Sequence, residues 1–213
     1  MRITAIGIAA GVTLAITPVA SAQNLLSNAG FEVQVNFDGN DVGNWNSFFG
    51  GADFQMSESI VPVDPPIDGT NVLQIGTFNT PNTFVGVTQR VDVEAGMEYE
   101  FAMHAREIVQ NGIFAEFRIE WVDGGGAIIG DQFALNTAIH DSLTADFQEF
   151  SITAEAPTGA VKGVAVIAVQ TFGSAAPFEG FIQIDGTSFT KVPAPGTLAL
   201  LGFGALGVAR RRR

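Results

Sequence analysis

The chain has 213 residues, with 22 acidic, ten basic and no cysteine residues. That length suits one ordinary domain with processed ends. The missing cysteines exclude disulfides, thiolate metal sites and a cysteine nucleophile. Five of the ten basic residues sit in the two ends (Arg2 and Arg210 to Arg213). The body between them holds five against 22 acids, a net charge of −17. Such a body repels nucleic acid and anionic membrane surfaces, so no nucleic-acid partner is expected.

Met1-Arg2 is a short positive start, and Ile3 to Ile16 carries no charge. Pro18 breaks that run, and Ala20-Ser21-Ala22 forms an A-x-A cleavage site. These are the parts of a secretory signal peptide over 1–22, which implies the Sec machinery as a partner and a mature start at Gln23. The competing reading is an uncleaved signal anchor.

Residues 23–191 alternate as strands do, with Val, Ile, Thr and Phe in runs punctuated by Gly, Asn, Asp and Pro. Strands are predicted over 24–32, 53–60, 71–76, 83–93, 97–106, 113–122, 147–155, 161–172 and 180–190. In 113–122, Ile113, Ala115, Phe117, Ile119 and Trp121 point one way. Phe114, Glu116, Arg118, Glu120 and Val122 point the other. In 97–106 the apolar set is Met97, Tyr99, Phe101, Met103 and Ala105. Val85, Val87, Val91 and Val93 share a face. Phe150, Ile152 and Ala154 point inward. The stretch 161–172 is apolar on both faces, which suits a central strand. Asp123-Gly-Gly-Gly126 is a turn. About nine short strands with no helix between them predict an all-β fold, an antiparallel two-sheet sandwich of jelly-roll type.

The polar residues Glu98, Glu100, His104, Arg106, Glu116, Arg118 and Glu120 are read as one sheet face, either lining a ligand or simply solvated. Trp45, Phe48 and Phe49 lie in the Gly- and Asn-rich stretch 43–51, where a loop would expose them to a ligand; burial of Trp45 under the first loop is the alternative. Trp121 and Tyr99 follow the inward sets and are read as core. His104 and His140 have no metal-binding or triad-like spacing, and no carboxylate pair stands out. A non-catalytic protein is expected.

The last 22 residues, 192–213, have three parts: a Pro-rich turn from Val192 to Gly196, an apolar run from Thr197 to Ala209, and four arginines. Arginine prefers the cytoplasmic side of a membrane. Thirteen residues of helix reach roughly 20 Å, short of a hydrocarbon core of about 30 Å. The segment therefore reads as an address label making transient membrane contact through 197–213, with a tail anchor or a core helix as alternatives. Its architecture resembles the PEP-CTERM sorting signal. The motif here is Pro193, Ala194 and Pro195, with alanine where that family carries an acidic residue. The resemblance implies processing by an exosortase, export to the cell surface or extracellular matrix of a Gram-negative bacterium, and a role in exopolysaccharide or biofilm.

Four stretches of the body are similar to galactose-binding-like jelly rolls, the carbohydrate-binding modules of xylanases and glucanases. They are Asn24-Leu-Leu-Ser-Asn-Ala-Gly-Phe-Glu32, Asp68-Gly-Thr-Asn-Val-Leu73, the segment Gln89 to Tyr99, and Ile184-Asp-Gly-Thr-Ser-Phe189. The resemblance implies extracellular polysaccharide as partner. It also implies a structural Ca²⁺ on Glu32, Asp68 and Asp185, with Asp53 and Asp64 nearby. Strand-end hydrogen bonds and a turn cap are the other reading of those three acids.

Overall fold

A computed structural model describes residues 22–33, 42–51, 55–78 and 80–193. The expected signal peptide up to Ser21, Asp53, and the tail from Ala194 onward, with Ala194 and Pro195 of the sorting motif, lie outside the described residues.

Among the described residues, ten strands form two antiparallel sheets. They are β1 (Asn46–Gly50), β2 (Gln55–Ile60), β3 (Val72–Thr77), β4 (Phe84–Asp92), β5 (Glu98–Asn111), β6 (Phe114–Val122), β7 (Asn136–Ala138), β8 (Gln148–Glu155), β9 (Lys162–Gln170) and β10 (Glu179–Lys191). The first sheet has the order β1-β4-β9-β6-β7 and the second β2-β3-β10-β5-β8. One turn of 3₁₀ helix spans His140–Ser142, and there is no α-helix among the described residues.

The alternation read from the sequence becomes the core. Ala115, Phe117, Ile119, Val85, Val87, Phe101, Met103 and Ile167 are all buried. Phe101 meets Phe117 edge-on at 5.6 Å and stacks with Phe189 at 6.1 Å, within the range at which ring pairs attract. Tyr99 and Trp121 join this cluster at 6.1 Å, and the Tyr99 hydroxyl accepts the Glu94 N–H at 2.8 Å. The doubly apolar strand β9 is the central strand of its sheet.

The expected strand over 24–32 is absent. Asn24 makes a single bridge to Thr190, and the chain then turns, with φ +50° at Asn28 and +56° at Phe31. Asparagine side chains replace ladder bonds with local ones. Asn24 Oδ1 accepts the Leu26 and Phe189 N–H groups, and Asn28 Oδ1 accepts that of Val33. The segment expected as an exposed loop contains β1, which pairs Asn46 to Gly50 against β4.

Candidate ligand-binding face

In an antiparallel pair, residues directly opposite one another share a face. Across the first sheet this places Phe48, Gly86, Ala168 and Glu116 in one outward row. Thr88, Val166, Arg118 and Asn136 form the next, and Phe84 and Gln170 flank them. The floor is small and apolar. Val164, Val166 and Ala168 are buried although they lie on the outside of the sheet, and Phe48 packs against the valines.

One wall of this face is aromatic. Phe48 and Phe84 lie 6.1 Å apart, and Phe84 and Phe172 6.0 Å apart. Phe172 is 43% exposed. Glycine lets two of these rings lie flat on the sheet: a Cβ on Gly86 would collide with Phe48, and one on Gly50 with Phe84.

The opposite wall is polar. Arg118 donates from Nη1 to Glu116 and from Nε to Glu120, both at 2.8 Å. Asn136 and Gln170 donate to the second Glu116 oxygen at 2.9 and 3.1 Å. The guanidinium lies 5.0 Å from the Phe133 ring centroid, where cation–π attraction acts. Glu120 Oε2, Asn136 Oδ1 and Gln170 Oε1 retain acceptor capacity.

The sequence-predicted residues divide. Trp45 is 2% exposed, packed 5.3 Å from Phe31 and donating to the Asn28 carbonyl; it belongs to the core, because the positive-φ turn at 28–31 folds back over it. Phe48 stands on the outward face. Phe49 is 55% exposed at the sheet edge, opposite Val85 on the other side of the strand. The polar set does not share one face. Glu116, Arg118 and Glu120 lie on the first sheet, whereas Glu98, Glu100, His104 and Arg106 lie on β5 of the second. There Arg106 donates to Gln183 and pairs with Asp64 at 3.1 Å. Phe84, Phe172, Asn136 and Gln170 went unrecognised. Phe84 alone left a trace, as the aromatic outside the inward valine set.

The three acids Glu32, Asp68 and Asp185 converge on the loop before β3. Glu32 Oε1 accepts the Thr70 and Asn71 N–H groups at 2.9 Å, and Oε2 accepts the Thr70 hydroxyl at 2.8 Å. Burial pushes its carboxyl up, but these bonds outweigh it and hold the pKa below the ordinary value. Asp185 is wholly buried. Its Oδ2 accepts the N–H groups of Ile67 and Asp68 at 2.6 and 2.9 Å, and its Oδ1 that of Gly186 at 2.6 Å. Burial raises its pKa, these bonds oppose the rise, and the Asp68 charge adds to it; the net shift is upward. Asp68 Oδ2 and Asp185 Oδ1 flank Gly30, at 3.3 and 3.7 Å from where its Cβ would stand. Both are hard oxygen donors of the kind a calcium ion takes, but two fall short of its about six to eight ligands, and Asp185 already accepts three backbone N–H groups. Glu32 does not suit one as arranged, because its carboxylate is taken up by the turn. Among the described residues no group of three or more His, Cys, Asp or Glu side chains is placed to hold a metal.

Solved structures share this fold. The enzymatically active domain of bacteriophage CBA120 tailspike protein 4 aligns at 18% identity and TM-score 0.61, covering 79% of this chain but 21% of that one. TmCBM61 in complex with beta-1,4-galactotriose aligns at 14% identity and TM-score 0.52, covering 80% and 100%. The CBM22-1 xylan-binding domain from Paenibacillus barcinonensis Xyn10C aligns at 16% and 0.51, covering 83% and 99%. At these identities the likeness is one of fold. No curated protein sequence matches the chain. Residues 191–213 match the PEP-CTERM protein-sorting motif, which marks a chain for export, exosortase processing and sorting to the cell surface. The chain is thus a PEP-CTERM-tagged protein whose body has the jelly-roll fold of carbohydrate-binding modules.

Proposed function

We propose that the body is a non-catalytic module that holds an extracellular polysaccharide on the outer face of the first sheet. In this reading it serves the surface or exopolysaccharide matrix of a Gram-negative bacterium. The observation that carries the proposal is the facing of two walls across a floor of small residues. The rings of Phe48, Phe84 and Phe172 stack on the apolar faces of successive sugars. Glu120, Asn136 and Gln170 accept from hydroxyls, and the buried Arg118 holds Glu116 and Glu120 in place. Glu116 already carries three donors, so it positions its neighbours instead of acting as a general acid.

The test is a glycan array followed by titration calorimetry on the secreted protein. Binding is expected, and F84A combined with F172A should weaken it roughly 5- to 150-fold, since each of the two lost ring contacts is worth about 0.5–1.5 kcal/mol. No binding to any polysaccharide, with or without calcium, sinks the proposal and leaves a purely structural surface protein. A calcium ion on Asp68 and Asp185 is proposed with it, as a structural tie between the loop before β3 and the closing strand. If EDTA leaves the melting midpoint of the calcium-loaded protein unchanged, that ion is not bound.

A further inference from the structure

The sorting motif begins inside the folded body. Its match starts at residue 191, which is the last residue of β10. The next residue is still tied down, because the Val192 N–H donates to the Glu98 carbonyl at 2.9 Å. Lys191 pairs with Glu94 at 2.8 Å. Five residues then lead from Val192 to Thr197, where the apolar run starts. Fully extended they reach at most about 18 Å, and a headgroup layer takes up about 5–7 Å of that. With the run in the bilayer, the end of the sandwich where the tail leaves is held almost against the membrane.

That end is one continuous pole. Gly96 donates to the Ala156 carbonyl and Ala156 to that of Met97. Val93 donates to Val161, and Val161 to Val122. Val122 bridges to Ile128. Met97, Ile128 and Val161 are each about 40% exposed on these loops. Asp92, Glu94, Glu98, Asp123 and Glu155 stand among them against Lys162 and Lys191. The excess of acid disfavours an anionic lipid surface and leaves a protein as the better partner.

We propose that this pole, with Met97 and Val161 at its centre, is the surface on which the membrane-embedded exosortase rests while it processes the tail. The proposal rests on the reading that the tail is removed. With no linker between body and motif, the enzyme works in a gap too narrow to avoid the pole.

The experiment is pulse-chase of the full-length chain in its own cells, following loss of the arginine tail. M97E combined with V161E should slow processing at least fivefold. I108E, at the far end of β5 and exposed, should leave it unchanged. A twelve-residue Gly/Ser linker after Val192 should make the M97E/V161E pair silent, which also shows that the doubly substituted body folds. Processing at the unsubstituted rate, or equal slowing with the linker present, overturns the proposal. A loss of membrane association by the same pair in cells lacking the exosortase would assign the contact to lipid and overturn it too. If even the unsubstituted chain keeps its tail, the removal reading itself falls, and that result is distinct from the others.

Discussion

Glu32 and Gly69 depend on each other. The carboxylate lies against the turn at 69–71, and Gly69 has φ +65°, with no room for a Cβ beside Glu32. G69A therefore meets both backbone strain and a collision, and should cost about 1–3 kcal/mol. At about 2–4 °C per kcal/mol for a domain of this size, a thermal melt reads this as a drop of several degrees. The lowered pKa of Glu32 gives a second expectation. Its stabilising contribution is complete above the unfolded value near 4.5 and is lost as pH falls through the lower folded value. Melting midpoints of the wild type and E32Q should differ most near neutrality and converge in acid. Asp185 has the opposite sign. Its raised pKa means that ionisation in the folded state costs stability, a cost absent below about pH 3.8 and complete above the folded value. A cation beside it offsets that cost. The gain in melting midpoint from calcium should therefore be larger at pH 7 than at pH 4, and a pH-independent gain would place the ion elsewhere.

At the scale of elements, β6 carries the instructive case. Its inward residues were legible because they alternate with polar ones and each meets the core. Its outward residues were legible as a polar set, but their partners were not. Glu116, Arg118 and Glu120 have side chains only 9–12% exposed, since β7, Phe133 and β9 crowd them. A buried charge whose partner is removed is penalised far more than a whole pair replaced. R118A leaves two carboxylates uncompensated and should destabilise by about 3–5 kcal/mol, whereas E116Q/R118M/E120Q together should cost much less. Denaturant unfolding of both variants measures the difference. The strand at 46–50 was read as a loop because Gly43, Gly50, Gly51, Asn44 and Asn46 dominate the stretch around it. It forms because β4 offers a free edge, and its glycine spaces the rings of the neighbouring strand.

For the whole molecule, the two ends of the described body lie side by side. Asn24 bridges Thr190, and Leu25 donates to the Phe189 carbonyl at 2.8 Å. The segments that lead to the two expected processing points therefore leave the body side by side. Among the described residues no helix is long and apolar enough to cross a membrane. Mass spectrometry of the surface-located protein should find a mature form that starts at Gln23 and lacks Arg210 to Arg213. A form that retains the arginines would make the tail an anchor.

The sequence by itself determined the class of fold and the destination. Strand periodicity is a local property, and a sorting motif is read as linear text by the machinery that handles it. The core assignments of Tyr99, Trp121 and Phe117 followed from the same two-residue period. The sequence could not determine which rings share a face. Phe48, Phe84 and Phe172 are joined by strand pairings across 124 residues of chain, and Trp45 was taken from solvent by a turn built on asparagine side chains. The two carboxylates beside Gly30 are 117 residues apart in the chain, so only the closed sandwich decides whether they stand together as a site.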